Sequence, residues 1–349
     1  MRIAYLTFEK PGSGGVGRKL TLQRRFWERE GHVVRHIVLR AHDCAEEGGV
    51  HFPIRKTILS PLFTASLNAG RIREELKQFA PDVVYMRQML RWPGLHRILK
   101  GYPVVEEVNS DINGELRSSG RVGLVKFALH RCGQIFMQGI VSGEVFVTRE
   151  LKARYGTWHT PSCVISNGAI FPKSLPDKIP VRDAPSLIMV CSSDQDWHGI
   201  DILFDICRNL PEYKFHIVGP FKDCGANNIL FHGVMNDADL RQLYKKMDFG
   251  VAVLALGRKK MTEACPLKVR EYVENGLPVI GGYDDTDLGS APYFLKIDPE
   301  SDDVIAEIRR FVDRWRGKAF PFSDAEKRLS FACKERSRLA FLQKVSTVA

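Results

Sequence analysis

Glu263-Ala-Cys-Pro-Leu-Lys-Val-Arg-Glu271 runs directly into Tyr272-Val-Glu-Asn-Gly-Leu-Pro-Val-Ile280, and this stretch decides the fold. Pro266 suits the start of a helix, where its missing N–H costs no hydrogen bond. Gly276 and Pro278 end that helix after about three turns, and an apolar strand follows. The stretch therefore predicts a loop, a helix and a strand in succession.

Lys268 lies in the first turn of the predicted helix, where a cation opposes the helix dipole. An anion is therefore expected beside it, since free N–H groups and an ammonium together form a cradle for a diphosphate. Glu271, one turn later, can then accept hydrogen bonds from ribose hydroxyls, and Glu263 in the preceding loop can accept them from a sugar. The alternative is an amphipathic helix with a surface lysine and a salt-bridged glutamate.

The glutamates Glu263 and Glu271 resemble the E-x7-E signature of retaining glycosyltransferases of the GT-B type, in glycosyltransferase family four. Further segments resemble motifs of that family in the same order and together cover about residues 1 to 300. They are Gly14-Gly15-Val-Gly-Arg18, Val164-Ile-Ser-Asn-Gly168, Trp197-His-Gly-Ile-Asp201, Phe215-His-Ile-Val-Gly219, Phe231-His-Gly-Val234 and Leu240-Arg-Gln-Leu-Tyr244.

This resemblance implies an α/β fold of GT-B architecture, in which two Rossmann-like domains face each other across a cleft. It implies transfer of a sugar from a nucleotide-diphosphate sugar to a lipid-linked, polysaccharide or other glycan acceptor, with retention of anomeric configuration. No metal and no cofactor are expected, because the helix dipole and basic side chains stabilise the leaving diphosphate in such enzymes.

The length and the order of segments indicate two domains. A chain of 349 residues is too long for one ordinary core and suits two domains of about 150–180 residues. Strands alternate with helices, which predicts parallel sheets covered by helices on both faces. The expected divisions are an N-terminal acceptor domain over residues 1–170, a proline-rich linker over 171–185 and a C-terminal donor domain over 186–322. By the resemblance, the last helix, within residues 323–349, crosses back to the N-terminal domain.

Local patterns predict the individual elements. Strands are predicted over residues 3–7, 33–39, 83–86, 104–108, 140–147, 163–165, 187–191, 214–218, 250–254 and 279–280. Helices are predicted over residues 18–30, 62–79, 95–100, 122–138, 149–155, 200–209, 237–246, 267–275, 304–315 and 324–344.

Composition indicates a folded, soluble protein, with 44% hydrophobic and 26% charged residues. No apolar run approaches the roughly 18–20 residues of a membrane span, and the polar N-terminal segment predicts no signal peptide. The eight cysteines are scattered without a C-x-x-C pair, which argues against a zinc site and suits a reducing compartment. We therefore expect a cytoplasmic protein associated with the cytoplasmic membrane face.

The net charge of +10 lies entirely in the N-terminal half, because residues 1–165 hold 25 of the 51 Lys and Arg but only 15 of the 41 Asp and Glu. This asymmetry predicts an anionic partner for that half, such as an anionic membrane or a lipid-linked acceptor, and the alternative is a solvated basic face. Nucleic acid is not expected, since no nucleic-acid-binding motif accompanies the charge. The predicted membrane or acceptor contacts, on the first helix, are Arg18, Lys19, Arg24, Arg25 and Arg29.

The glycine loop between the first strand and the first helix lies where α/β folds place ligands. Its spacing matches neither a dinucleotide fingerprint nor a phosphate-binding P-loop. The resemblance places the donor phosphates and the acceptor beside it. The donor contacts implied in this way are Gly14, Gly15, His198, Gly233, Val234, Cys265, Pro266, Leu267, Lys268 and Glu271.

Two departures from the family pattern weaken the predicted donor site. Asn109 stands where the family has a histidine near the transferred sugar, and Ser193 and His198 stand where it has an arginine and a lysine. Catalysis is assigned to Asn109, Glu263 and Lys268. A neutral His198 can donate one hydrogen bond, and a protonated one adds a charge. The alternatives are a helix-capping or packing role for His198 and a turn role for Asn109. Further diphosphate contacts are predicted from Arg149, Lys222 or Arg258.

Asp284-Asp-Thr-Asp287 looks like a D-x-D metal motif. It follows a predicted strand and precedes Gly289 and Pro292, so we interpret it as an acidic turn.

Two other classes of function fit the same features. One is a sugar-nucleotide epimerase or hydrolase, which has the donor site but no acceptor and no use for a one-sided basic face. The other is a non-enzymatic nucleotide-sugar-binding scaffold, suggested by the missing arginine, lysine and histidine.

Overall fold

Two parallel sheets flanked by helices form the chain, as the alternating segments predict. The computed structural model describes residues 1–12, 14–39, 49–52, 66, 68–92, 94–171, 183–222 and 225–348. One compact unit contains Met1–Gly12, Val16–Ile165 and Glu335–Ala349, and the other contains Ser13–Gly15 and Ser166–Lys334. Residues 172–182 of the predicted linker, and residues 62–65 and 67 of the helix predicted over 62–79, lie outside the described residues.

The N-terminal unit has a seven-stranded parallel sheet in the order β3-β2-β1-β4-β5-β6-β7. Its central strands are rich in valine and are buried along almost their whole length, as expected for a parallel sheet that helices cover on both faces. The strands are β1 (Arg2–Thr7), β2 (Val33–Leu39), β3 (Gly49–Phe52), β4 (Val83–Arg87), β5 (Val104–Val108), β6 (Gly143–Phe146) and β7 (Ser162–Val164).

Two helices of this unit begin at a side-chain cap. The Asp111 side chain accepts a hydrogen bond from the Gly114 N–H at 2.8 Å, and Thr148 accepts one from the Leu151 N–H at 3.1 Å. Each bond satisfies a donor that a helix start leaves unpaired. The helices are α1 (Gly15–Arg29), α2 (Ala69–Phe79), α3 (Leu95–Leu99), α4 (Ile112–Ser118), α5 (Gly120–Met137) and α6 (Arg149–Tyr155).

The C-terminal unit has a six-stranded parallel sheet in the order β10-β9-β8-β11-β13-β15, beside a two-stranded sheet of β12 and β14. The chain leaves β8 toward β9 on one side and later returns to β11 on the other. The strands are β8 (Ser186–Val190), β9 (Lys214–Val218), β10 (Ile229–Phe231), β11 (Phe249–Val251), β12 (Glu263–Ala264), β13 (Val279–Gly281), β14 (Asp284–Asp285) and β15 (Phe294–Lys296).

The later helices are α7 (Ile200–Asn209), α8 (Asp237–Tyr244), α9 (Leu267–Glu274), α10 (Val304–Trp315), α11 (Phe322–Leu329) and α12 (Phe331–Val348). The helical region predicted over residues 324–344 is thus two helices. The break falls at Ser330, whose backbone is extended (ψ 112°) and which bridges to Ala169. Among the described helices, none has the length and apolar character that crossing a membrane requires.

A buried carboxylate, Glu107 at the end of β5, joins several elements of the N-terminal unit. It lies 2.7 Å from the Lys19 ammonium of α1 and 2.8 Å from the Arg87 guanidinium of β4, and it accepts a hydrogen bond from the Tyr85 hydroxyl at 2.7 Å. Arg338 of α12, itself fully buried, lies 3.5 Å away. Burial alone would raise the pKa of Glu107, but Lys19, Arg338 and Arg87 hold it well below its ordinary value.

Candidate active site

The order of strands in the C-terminal sheet marks a crevice at the carboxyl ends of β8 and β11. These strands are parallel neighbours, and the chain leaves them toward opposite sides of the sheet. In open α/β sheets, ligands bind at such a switch point. The loops that follow these two strands, together with the start of α9, therefore form the candidate site.

The two loops pack directly against each other. The Leu254 N–H donates to the His198 carbonyl at 3.1 Å, and the Ala255 N–H donates to the Trp197 carbonyl at 3.3 Å. Gly199 has φ +72°, and a Cβ on it would lie 2.9 Å from the Leu254 Cβ. A larger residue at position 199 would be strained and would separate the loops.

The start of α9 presents a cation and unpaired amides. Within the described part of the chain, the N–H groups of Leu267 and Lys268 have no hydrogen-bond partner, as is usual for the first turn of a helix. The Lys268 ammonium donates to the Val190 carbonyl at 2.9 Å and lies 3.4 Å from the Cys191 sulfur. The lysine of the first turn is thus at the carboxyl end of β8, inside the crevice.

The bounds of α9 follow from its sequence signals. Pro266 is the residue that precedes the first helical turn. At the other end, Gly276 has φ +73°, its N–H donates to the Val273 carbonyl, and the Leu277 N–H donates to the Tyr272 carbonyl. This is the Schellman arrangement, which favours glycine.

The two glutamates of the signature lie in different elements. Glu271 lies on α9 and accepts a hydrogen bond from the Tyr244 hydroxyl at 3.2 Å. Glu263 lies in β12 and is only 9% exposed. Their roles toward ribose and sugar remain predictions.

His198 is held in one orientation, because its Nδ1 lies 2.9 Å from the Ser193 carbonyl. A carbonyl only accepts, so Nδ1 carries the hydrogen and Nε2 of the neutral ring is an acceptor. Burial, followed by the charges of Lys268 and Lys259, lowers the pKa of His198 to about 4. The prediction that a neutral His198 donates a hydrogen bond to the donor is therefore wrong, since its one hydrogen already binds Ser193.

The predicted supporting cations have separate environments. Arg258 is paired with Asp201 at 2.6 Å and donates to the Asp196 carbonyl at 2.8 Å, while Lys222 is exposed. Arg149 begins α6 of the N-terminal unit. Sequence reasoning missed Lys259, whose ammonium lies 4.3 Å from the centre of the Trp197 ring. The basic run of residues 258–260 is the sequence signal that could have identified it.

Cys265 stabilises the loop before α9 through hydrogen bonds with Asn167. Its sulfur accepts the Asn167 N–H at 3.0 Å, and its carbonyl accepts from the Asn167 side chain at 2.6 Å. Burial raises the pKa of the Cys265 thiol to about 11, so the thiol is uncharged.

Of the other predicted donor contacts, the Gly233 carbonyl accepts a hydrogen bond from the Gly219 N–H at 2.9 Å, and the Val234 side chain is 81% exposed.

The acidic segment over residues 284–287 is neutralised by basic side chains. Arg270 pairs with Asp285 and, at 2.7 Å, with Asp287, which also lies 2.9 Å from the Lys334 ammonium. Burial alone would raise the pKa of Asp287, but Arg270 and Lys334 hold it below its ordinary value. The segment is not simply a turn as predicted, because residues 284 and 285 form β14. The described residues contain no cluster of His, Cys, Asp and Glu suited to a metal ion.

Three predicted residues follow β1 or β5 along the chain. Asn109 follows β5, is half-buried and has its N–H bound to the Gln88 side-chain oxygen at 3.1 Å. Gly14 and Gly15 are exposed and have φ values of +79° and +36°, which favour glycine. Their contacts with a donor remain predictions.

The membrane face predicted on α1 is wrong in part. Lys19 is buried against Glu107, and burial lowers its pKa to about 8. The apolar residues Leu20, Phe26 and Trp27 are also buried, because the basic helix turns this stripe toward the sheet. Of the predicted basic contacts, Arg25 and Arg29 are exposed, while Arg18 and Arg24 are half-buried.

Solved structures share this fold over the whole chain. The sucrose-phosphate synthase from Thermosynechococcus elongatus is similar over 100% of both chains, with a TM-score of 0.76 and 12% identity. The lipopolysaccharide outer core galactosyltransferase WaaB is similar over 98% of this chain and 99% of its own, with a TM-score of 0.69 and 14% identity. An alpha-glucosyltransferase in complex with UDP-glucose and DNA that contains an abasic site is similar over 98% and 99%, with a TM-score of 0.63 and 12% identity.

These similarities confirm the predicted fold, which is of the GT-B type with two Rossmann-like units. No protein-family model matches the chain, and no curated protein matches it significantly.

Proposed function

We propose that the protein is a glycosyltransferase that takes its sugar from a nucleotide-diphosphate sugar and retains the anomeric configuration. The observation that carries the proposal is the start of α9, where the Lys268 ammonium and two unpaired amides lie at the switch point of the C-terminal sheet. Support also comes from the shared GT-B fold and from UDP-glucose in one of the similar structures. The proposed acceptor is a lipid-linked or other glycan.

The chemistry that these residues supply is electrostatic. The diphosphate accepts hydrogen bonds from the amides of Leu267 and Lys268 and from the Lys268 ammonium, which stabilise its charge as the sugar departs. Glu271 accepts from the ribose hydroxyls. Nε2 of His198, an acceptor in the neutral ring, accepts a hydrogen bond from a hydroxyl of the nucleotide sugar. The acceptor hydroxyl attacks the anomeric carbon from the face that the diphosphate leaves. The bond from this carbon to the phosphate oxygen breaks, and the leaving diphosphate takes the hydroxyl proton, so no covalent intermediate with the protein is required.

The experiment that tests this function is the turnover of nucleotide sugars, with and without an acceptor-rich membrane extract. Transfer requires the extract, whereas epimerisation or hydrolysis consumes or converts the donor without it. A scaffold would bind a nucleotide sugar, detected as a rise in melting temperature, and would turn over none. Turnover that does not depend on the extract would contradict the proposal.

We expect transfer to be independent of metal, because basic side chains and helix amides neutralise the diphosphate. Activity should persist in an excess of chelator, measured as product formed from a labelled donor. Asp284, the exposed residue of the acidic segment, supplies the control, since Asp284→Asn should leave the activity unchanged both in chelator and in added magnesium. Loss of activity in chelator with rescue by magnesium or manganese would contradict this prediction.

We propose that α5, and not α1, contacts the membrane. Along α5 the apolar side chains of Leu124, Val125, Ile135 and Phe136 are each more than half exposed. The helix has basic residues but no Asp or Glu. An exposed apolar stripe with basic flanks is typical of a helix that lies in the interface of an anionic membrane.

The α5 surface should bind vesicles that contain phosphatidylglycerol at low salt and release them at high salt. The reason is that the Debye length falls from about 10 Å at 0.1 M to about 3 Å at 1 M. Co-sedimentation measures the binding, which an I135S/F136S variant should weaken. Arg25→Ser, an exposed position on α1, is the control and should have little effect. Equal binding by wild type and I135S/F136S would rule out this surface.

A further inference from the structure

A pocket of about 540 Å³ lies in the N-terminal unit and is lined by α5, by β5 and β6, and by the end of α6. Its volume is within the roughly 300–1,000 Å³ of small-molecule sites. None of the residues that line it is a candidate donor contact. The pocket is therefore not part of the site described above.

Four side chains that line this pocket have a buried polar atom without a hydrogen-bond partner among the described residues. They are Nε of Arg91, Oδ1 of Asn113, Nε2 of His130 and Oε2 of Glu144. His130 is 2% exposed and Asn113 is 6% exposed. Buried polar atoms are rarely left unpaired in folded proteins, so this concentration in one pocket indicates that a ligand or water completes the bonds.

The hydrogen-bond partners define which atoms donate. Nδ1 of His130 lies 3.1 Å from the Arg91 N–H and accepts it, so Nε2 carries the ring hydrogen and is a donor. Nε of Arg91 is also a donor, whereas Oδ1 of Asn113 is an acceptor and Oε2 of Glu144 is one when ionised. A hydroxyl both donates and accepts, so a ligand rich in hydroxyls matches this mixed set.

Charge argues against an anionic ligand. Arg91 is paired with Glu106, Arg154 lies 3.0 Å from Asp111, and Arg131 donates to the Gln134 side chain at 2.8 Å. Two of the three arginines are thus neutralised by carboxylates, and Arg131, whose partner Gln134 is neutral, is exposed to solvent, where water and salt screen its charge. Burial, and next the charge of Glu106, raise the pKa of Glu144 to about 7, so its carboxyl is partly protonated at neutral pH and adds little charge.

The apolar part of the lining fits the same class of ligand. Val108, Ile112, Met137 and Val141 line the pocket beside the polar atoms. A sugar ring presents C–H groups as well as hydroxyls, so it can contact both. We propose that this pocket binds a short neutral glycan, as a second carbohydrate site in the N-terminal unit. This inference does not depend on the proposed transfer of sugar.

Saturation-transfer NMR with the full chain can test the site, using glucose, galactose, N-acetylglucosamine and maltose as probes. We expect at least one of them to bind, and His130→Phe and Asn113→Leu to raise its dissociation constant at least tenfold. Both variants should keep the wild-type circular dichroism spectrum, which shows that the chain is folded. His96→Phe, outside the lining, is the matched control and should bind the sugar as wild type does.

Three results would overturn the inference. The first is that none of the neutral probes binds, which would leave a water-filled pocket. The second is that only glucose phosphate or inorganic phosphate binds. The third is that both variants bind the sugar with the wild-type affinity. A crystal soaked with the tightest probe should show the sugar within hydrogen-bond distance of Nε2 of His130. Since no readout requires turnover, failure here is distinguishable from failure of the proposed function.

Discussion

Lys268→Ala and Glu271→Ala are each expected to lower kcat/KM for sugar transfer at least tenfold. Lys268 supplies the ammonium at the carboxyl end of β8, and Glu271 lies one turn further along α9. A hydrogen bond to a charged group contributes roughly 1.5–3 kcal/mol, which corresponds to a factor of ten or more. Steady-state kinetics measure the loss, and calorimetry with the nucleoside diphosphate separates binding from turnover.

The two variants should differ in which constant changes. The charge on the diphosphate grows as the sugar departs, so Lys268→Ala should lower kcat as well as donor affinity. The ribose is unchanged by the reaction, so Glu271→Ala should mainly raise KM. Lys246→Ala, an exposed lysine after α8, is the control. Wild-type kinetics in both variants would show that the donor does not bind at α9.

Arg338→Met is expected to destabilise the N-terminal unit by about 3–5 kcal/mol, because it leaves the buried carboxylate of Glu335 without its cation and removes one of the cations around Glu107. Arg338 is fully buried, is paired with Glu335 and lies 3.5 Å from Glu107. It also donates to the Ile165 carbonyl at 3.3 Å. Glu335 in turn accepts a hydrogen bond from the Trp27 indole at 2.9 Å. The substitution is therefore expected to weaken the packing of α1 as well as that of α12.

Urea unfolding followed by tryptophan fluorescence measures the expected loss. The matched control is Arg336→Met, two residues earlier on the same helix, where the side chain is 62% exposed and lies 3.2 Å from Glu30. An exposed ion pair of this kind contributes about 0–1 kcal/mol. If the two substitutions destabilise equally, the buried network does not hold α12 in the N-terminal unit.

Local signals were sufficient to predict most elements. The bounds of α7 and α10 match those predicted, and α9 lies between its proline and its glycine. These signals act within a few residues, since a cap, a missing N–H or a positive φ is satisfied by near neighbours. For the same reason, the position of Lys268 in the first turn of α9 follows from local sequence without any tertiary contact.

Contacts distant in the chain decided what the sequence did not show. Lys19 belongs to a basic helix and looked like a surface residue, but its partner Glu107 lies 88 residues away. The break at Ser330 depends on its bridge to Ala169. Which nitrogen of His198 carries hydrogen depends on the Ser193 carbonyl.

The sequence by itself determined the α/β class, the order of the elements and the residues that begin and end α9. Only the tertiary structure decided which charges are buried and which apolar residues stay exposed, as on α1 and α5. It also brought Arg91, Asn113, His130 and Glu144 together around one pocket. The physical reason is that helix and strand periodicity repeat over a few residues, whereas burial and hydrogen bonding depend on partners that the folded chain supplies from far along the sequence.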